Sequence, residues 1–158
     1  MRCTPRTGTA AVVCLAMVWL GGSCRLLEQE GHCTWVQHAQ DAPRYSILEG
    51  DGVATLMVNE ESCGSTAVSF GLLELEVGAA VPQHVHTHST ELIYTIEGSG
   101  VLTLDGVEHL VVPGVVVSVP AGIPHAFVVT SQHNWRGTQV YTPAGPEAQF
   151  RSASRAAR

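Results

Sequence analysis

Four side chains between positions 84 and 125 carry the clearest chemical signal in this sequence. His84 and His86 are two residues apart, so on an extended strand both point to one face. Two imidazoles so placed can reach a common metal ion at about 2.0–2.1 Å, the usual nitrogen–metal distance. Glu91 follows after a short turn-like stretch and can add a carboxylate from the next strand. His125 comes 34 residues after Glu91, just past Pro120-Ala121-Gly122, where a tight turn opens another strand. Three neutral imidazoles and one carboxylate leave open positions on a five- or six-coordinate ion. One divalent transition metal ion is therefore expected. Mixed nitrogen and oxygen ligation suits Mn, Fe, Co, Ni, Cu or Zn and does not choose among them.

Positioning such a group requires several strands. Runs rich in Val, Leu, Ile and Thr occur at 45–48, 54–58, 67–77, 83–88, 91–97, 100–104, 107–112, 115–119, 126–130 and 138–141. Most are closed by Gly, Pro or Asp-Gly, the punctuation of an all-β sandwich or barrel. Asp105-Gly106 lies between two runs and predicts a hairpin, because both central positions of that turn favour φ > 0. No helical period is evident beyond the N-terminal segment. Glu74 and Glu76 alternate with Leu73, Leu75 and Val77, which predicts one wet face and one core face.

The spacing is more specific than the residue types. Gly78, His84, His86, Glu91 and Gly98 form one pattern, and Gly114, Pro120, Gly122 and His125 a second. These are the two motifs of the cupin family, which the sequence resembles over residues 66–145. Nine of ten fixed positions match; at the tenth, where the family has Asn, this chain has Val129. Val129 shares strand parity with His125 and Phe127, so it is expected to face the interior and make it drier. The resemblance implies an all-β, single jelly-roll barrel with a metal held by His84, His86, Glu91 and His125. It also places Tyr141 on a late strand that lines the cavity. There Tyr141 is a candidate catalytic group, donating a proton or hydrogen bond to substrate; core packing with an exposed hydroxyl is the competing role. Glu91 is a ligand that can also shuttle a proton. His88 continues the parity of His84 and His86, yet Thr87-His88-Ser89-Thr90 has turn composition. His109, beside Glu108 on a hairpin, is expected at the surface.

Near the N-terminus, Arg2 and Arg6 precede an apolar stretch at 10–20 and the small residues Gly21, Gly22 and Ser23. This is the layout of a secretory signal peptide over 1–23, and it resembles a bacterial lipoprotein signal with Cys24 as the lipid-bearing first residue. An uncleaved anchor is the alternative. Export to the periplasm or cell envelope follows, where Cys33 and Cys63 form an even pair suited to a disulfide. Residues 24–65 are expected to be a linker with short strands, 66–145 the barrel core and 146–158 a C-terminal tail.

The 158 residues include 14 acids, eight arginines and no lysine, for a formal net charge of -6. Nucleic acid is thereby disfavoured as a partner, and Schiff-base lysine chemistry is excluded. A small-molecule ligand and a homodimer are expected. The first functional expectation is a small-molecule metalloenzyme, with dioxygenase activity implied by the resemblance. Cupin isomerases and lyases share the ligand set, and a non-catalytic carbohydrate- or metal-binding module would need the same barrel. A dimer-building scaffold is a third reading, in which removing metal leaves the protein's role intact.

Overall fold

The computed structural model describes residues 36–152 and residue 156. Residues 1–23, expected to be a leader, Cys24, expected to carry lipid, and Cys33 of the expected Cys33–Cys63 pair lie outside the described residues. Ten strands are described: β1 (Arg44–Ile47), β2 (Gly52–Val58), β3 (Ser69–Leu75), β4 (Ala80–His84), β5 (Thr90–Glu97), β6 (Gly100–Leu104), β7 (Val107–Val111), β8 (Val116–Val119), β9 (His125–Val129) and β10 (Trp135–Thr142). They form two antiparallel sheets, one in the order β1-β2-β3-β10-β5-β8 and the other β4-β9-β6-β7. This is the jelly-roll arrangement expected of a cupin.

Side-chain alternation explains how the sheets close on one another. Burial along β3 strictly alternates, with Ser69, Gly71, Leu73 and Leu75 inside. Along β10, Trp135, Gly137, Gln139 and Tyr141 are the buried set. The period of two sends every second residue inward, so each strand contributes one row to a shared core. That core joins Leu73, Leu75, Leu102, Val111, Phe127, Val129 and Trp135. Each such side chain contributes about 1.5–3 kcal/mol on full burial.

Two turns show how local sequence fixes register. Asp105 and Gly106 both have positive φ, 49° and 79°, and Leu104 pairs with Val107 across them. The predicted hairpin is therefore present. Asn59 caps the single helical turn α1 (Glu60–Cys63), accepting from the Ser62 N–H while the Asn59 N–H donates to Ser62 Oγ. The helix was absent from the sequence expectation because four residues are too short to show a period.

The boundaries at the site differ from expectation in one informative place. β4 runs over Ala80–His84, so His86 lies beyond the strand rather than on it. The Gly122 N–H donates to the His86 carbonyl at 2.9 Å. This backbone therefore pairs with the turn before β9 and no longer continues the β4 ladder. Simple strand parity is not what brings His86 to His84.

Candidate metal centre

His84 ends β4, Glu91 is the second residue of β5, and His125 opens β9. His84 pairs directly with His125 across the four-stranded sheet. Glu91 pairs with Tyr141 across the other. The site therefore forms where strand ends of both sheets meet, with His86 entering from the loop after β4. One ligand atom from each of His84, His86, Glu91 and His125 lies within 4.8 Å of the others. Two ligands of a single ion stand at most roughly 4.2 Å apart, so small side-chain rotations close the set.

The imidazoles are already oriented. His84 Nδ1 lies 2.8 Å from the Pro82 carbonyl, and His125 Nδ1 lies 3.0 Å from the Ile123 carbonyl. A carbonyl two residues back thus accepts the Nδ1–H in both cases and leaves Nε2 for the centre, the outer-shell arrangement that fixes a ligand's tautomer. His125 Nε2 lies 3.0 Å from Glu91 Oε2. His86 Nε2 is 3.2 Å from the same oxygen but lacks hydrogen-bonding geometry, and is a buried nitrogen with no hydrogen-bond partner. An orphaned buried imidazole nitrogen is costly, and a metal ion would satisfy it. On this ground the residues present fit a bound ion.

Electrostatics agree with the donor set. Burial pushes the Glu91 carboxyl up, but His125, His86 and Gln139 beside it outweigh burial and hold it down at about 2. It remains an anion, which suits a ligand. Burial lowers His84, with the neighbouring His125 and His86 adding to the effect against the Pro82 carbonyl and Glu91. Burial also opposes charge on His125, yet its hydrogen bond to Glu91 and the Ile123 carbonyl win, and its proton is held more tightly than usual. His125 and Glu91 would both have to be deprotonated to hold a metal ion, so binding of one would be favoured as pH rises.

Sequence reasoning missed Gln139. Its Nε2 donates to Glu91 Oε1, and the side chain is buried. A glutamine in a strand resembles a solvated position; only its parity with Tyr141 pointed inward. Tyr141 itself lines the cavity and packs edge-on against His86, with ring centroids 4.8 Å apart. The expected exposed hydroxyl is corrected: Tyr141 is 1% exposed. Its burial, then the nearby Glu91 carboxylate, push the phenol well above its ordinary value. It is a hydrogen-bond donor at any working pH. His88 and His109 are exposed, and His88 is outside the group. Val129 packs in the core with Phe127 and Trp135, and it is Phe127 that borders the cavity.

That cavity has a volume of about 480 Å³, and His84, Glu91, His125, Gln139 and Tyr141 border it. Such a volume suits a small organic ligand.

Residues 71–141 match the family model described as the cupin domain. The chain is 39% identical over 84 residues to quercetin 2,3-dioxygenase of Bacillus subtilis, a match covering 53% of this chain and 25% of that protein. It is 28% identical over 108 residues to the dimethylsulfoniopropionate lyase DddW of Ruegeria pomeroyi, covering 65% and 70%. The chain thus spans a quarter of the first relative's length. Among solved structures, an RmlC-like cupin from Shewanella frigidimarina superposes with a TM-score of 0.63 at 17% identity, covering 73% of this chain and 96% of that one.

Proposed function

From a cupin-type barrel with a cupin-domain match over residues 71–141 as the premise, we propose that this protein is a metal-dependent enzyme of dioxygenase type acting on a small organic molecule. One observation carries the reading: three imidazoles and a carboxylate converge within 4.8 Å beside a cavity of about 480 Å³. The likeness to a quercetin 2,3-dioxygenase supports the reaction class. When bound, a divalent ion would supply Lewis acidity and open coordination positions for ligand oxygens.

The chain's own residues then have distinct tasks. His84, His86 and His125 would offer neutral ring nitrogens to a bound ion. Glu91 contributes negative charge, and Gln139 holds its second oxygen in place. A carboxyl held at about 2 keeps its charge and is better suited to ligation than to carrying protons. Tyr141 is placed to donate a hydrogen bond to substrate. Phe127 and the aliphatic lining exclude water from the reacting atoms, which strengthens every polar contact there.

A lyase reading is favoured by the DddW match, which extends over more of this chain than the dioxygenase match does. Dioxygen uptake separates the two. With quercetin as substrate, aerobic turnover with oxygen consumption supports the first, and elimination from dimethylsulfoniopropionate without oxygen supports the second. Neither activity, with metal bound, would leave a binding module. For the metal itself, elemental analysis should find about one transition metal ion per chain. The variant His84→Ala/His86→Ala should lose it, with affinity falling more than the roughly 10–100-fold typical of outer-shell changes. Unchanged metal content in that variant would overturn the ligand assignment.

Export, with cleavage before Cys24 and lipid on that residue, belongs to the same proposal. It is supported by the leader-like composition of 1–23, and the mass of the native N-terminus tests it. A homodimer is part of it too, supported by exposed Val107, Leu110 and Val116 on the edge strands β7 and β8. A monomer mass by light scattering would remove it.

A further inference from the structure

The cavity meets solvent beside the metal group. The exposed members of its lining are Pro82 and Gln83 on β4, and Gln149 and Ser152 in the 3-10 segment Pro146–Ser152. Residues that are both exposed and cavity-lining mark a mouth. Gln83 directly precedes His84, the half-buried member of a metal group whose other three residues are buried. The 3-10 segment is anchored close by. Buried Glu147 accepts from Ser69 Oγ at 3.0 Å and from the Gly145 N–H at 2.7 Å. Ser69 pairs with Tyr141, and Tyr141 with Glu91, so the anchor lies in the row that holds the carboxylate of the metal group.

The hydrogen-bonding side chains of the lining fall into two sets. His84, Glu91, His125, Gln139 and Tyr141 gather at the metal group, where Gln139 Nε2 is committed to Glu91. Trp135 Nε1 is occupied by Thr95 Oγ1 at 3.2 Å. The second set is Gln83, Gln149 and Ser152 at the mouth. There the Ser152 hydroxyl donates to the Gln149 carbonyl at 2.6 Å. Among the described residues, the carboxamides of Gln83 and Gln149 take part in no hydrogen bond, unlike that of Gln139. Each offers two N–H donors and one oxygen acceptor. None of the mouth residues is charged, and Arg151, next to Ser152, is paired with Glu61.

Both carboxamides stand on ordered backbone. Gln83 is held between Pro82, whose carbonyl lies 2.8 Å from His84 Nδ1, and His84 itself. Gln149 lies beyond the cupin-domain match at 71–141, yet its segment is tied at several points. Besides the Glu147 anchor and the Arg151–Glu61 pair, Phe150 packs against the hydrophobic core and the Ala156 N–H donates to the Arg44 carbonyl at 3.0 Å. A group already held in place loses less freedom when it binds.

We propose that Gln83 and Gln149 are specificity-determining residues, whose carboxamides recognise a neutral hydroxyl or carbonyl oxygen on the part of the ligand that stays at the mouth. This rests on the reading that a small organic ligand binds at the metal group, and it assigns that ligand a second oxygen, separate from the one that faces the metal group. Amide groups serve this purpose because they donate to and accept from neutral oxygens without bringing a charge.

The test compares 2-naphthol with 2,6- and 2,7-dihydroxynaphthalene, which add one hydroxyl at different places on the same ring system. Each is titrated calorimetrically into the full chain, both zinc-loaded and chelator-stripped. At least one diol should bind zinc-loaded protein roughly three- to tenfold more tightly than 2-naphthol, the gain of about one hydrogen bond. In Gln83→Leu/Gln149→Leu that ratio should fall to about one, with zinc content unchanged, because leucine keeps the bulk and removes the amide. Gln149→Leu alone, at an exposed position outside the strands, should lower the ratio at least about twofold, which covers the case that the double variant does not fold. A purely structural role for the glutamines would move both affinities together and leave their ratio as it was. No diol binding, a wild-type ratio near one, or a ratio unchanged in the leucine variants would overturn the proposal. No zinc uptake with the diol preference and its loss intact would overturn the metal reading and leave the carboxamides their role; zinc uptake without a diol preference would overturn the carboxamide role alone.

Discussion

The two ends of the barrel are held in different ways. At the metal end, side chains from β4, β5, β9, β10 and the loop after β4 meet, and their order comes from directed hydrogen bonds: His84 to the Pro82 carbonyl, His125 to the Ile123 carbonyl and Gln139 to Glu91. At the far end, order comes from shape. A Cβ on Gly137 would sit 2.3 Å from Trp135 Cη2, and one on Gly100 would sit 2.4 Å from Phe127 Cζ. These glycines are there because aromatic rings occupy the space a side chain would need. Phe127 and Trp135 in turn pack at a 5.2 Å centroid distance. The contrast shows that polar chemistry sits at strand ends, where the ladder gives way to loops. Stability is concentrated where side chains interdigitate.

If that division holds, the far end should be the more sensitive in stability. Gly137→Ala should cost about 3 kcal/mol, the upper part of the usual overpacking range, and lower the melting temperature by roughly 10 °C. A wild-type thermal melt for this variant would break the comparison. The metal end should respond less in stability and more in affinity. Gln139→Leu leaves Glu91 Oε1 buried without its donor, costing about 1–3 kcal/mol, and should weaken metal binding by roughly 10–100-fold. Competitive chelator titration checks this; unchanged affinity would mean that Gln139 is a bystander.

The smallest effect concerns acid. Glu91 has an ordinary value of 4.5 and is held at about 2 in the fold. A lowered carboxyl stabilises the folded state above its unfolded value, and that contribution is lost as pH falls from 4.5 toward 2. His125 acts with opposite sign: its raised value adds stability below 6.5 that is lost as pH rises through the folded value. In chelator-stripped protein, the difference in urea midpoint between wild type and Glu91→Gln should therefore narrow below pH 4.5. A difference constant down to pH 2 would remove the ionised Glu91 from the account.

Much of the metal end was legible because spacing is a local property. His84, Glu91 and His125 flank turns whose Gly and Pro residues are visible in the chain, and Asp105-Gly106 announced its own hairpin. His86 was expected for a reason that does not hold. Strand parity was to bring it beside His84, whereas a backbone bond to Gly122 does so. That contact spans 36 residues and leaves no local trace. Gln139 was hidden because its partner is across a sheet, and the cavity-lining Phe150 because no period marks a single 3-10 segment.

By itself the sequence determined the strands, the alternation that builds two facing sheets and the four residues that converge at one point. Each follows from periodicity or spacing along the chain. Tertiary structure alone decided which carbonyls orient the imidazoles, that His86 Nε2 has no hydrogen-bond partner, that Tyr141 is sealed from solvent and that residues outside the matched domain complete the cavity. Those outcomes depend on distances between segments remote in sequence, set by how the two sheets close on one another.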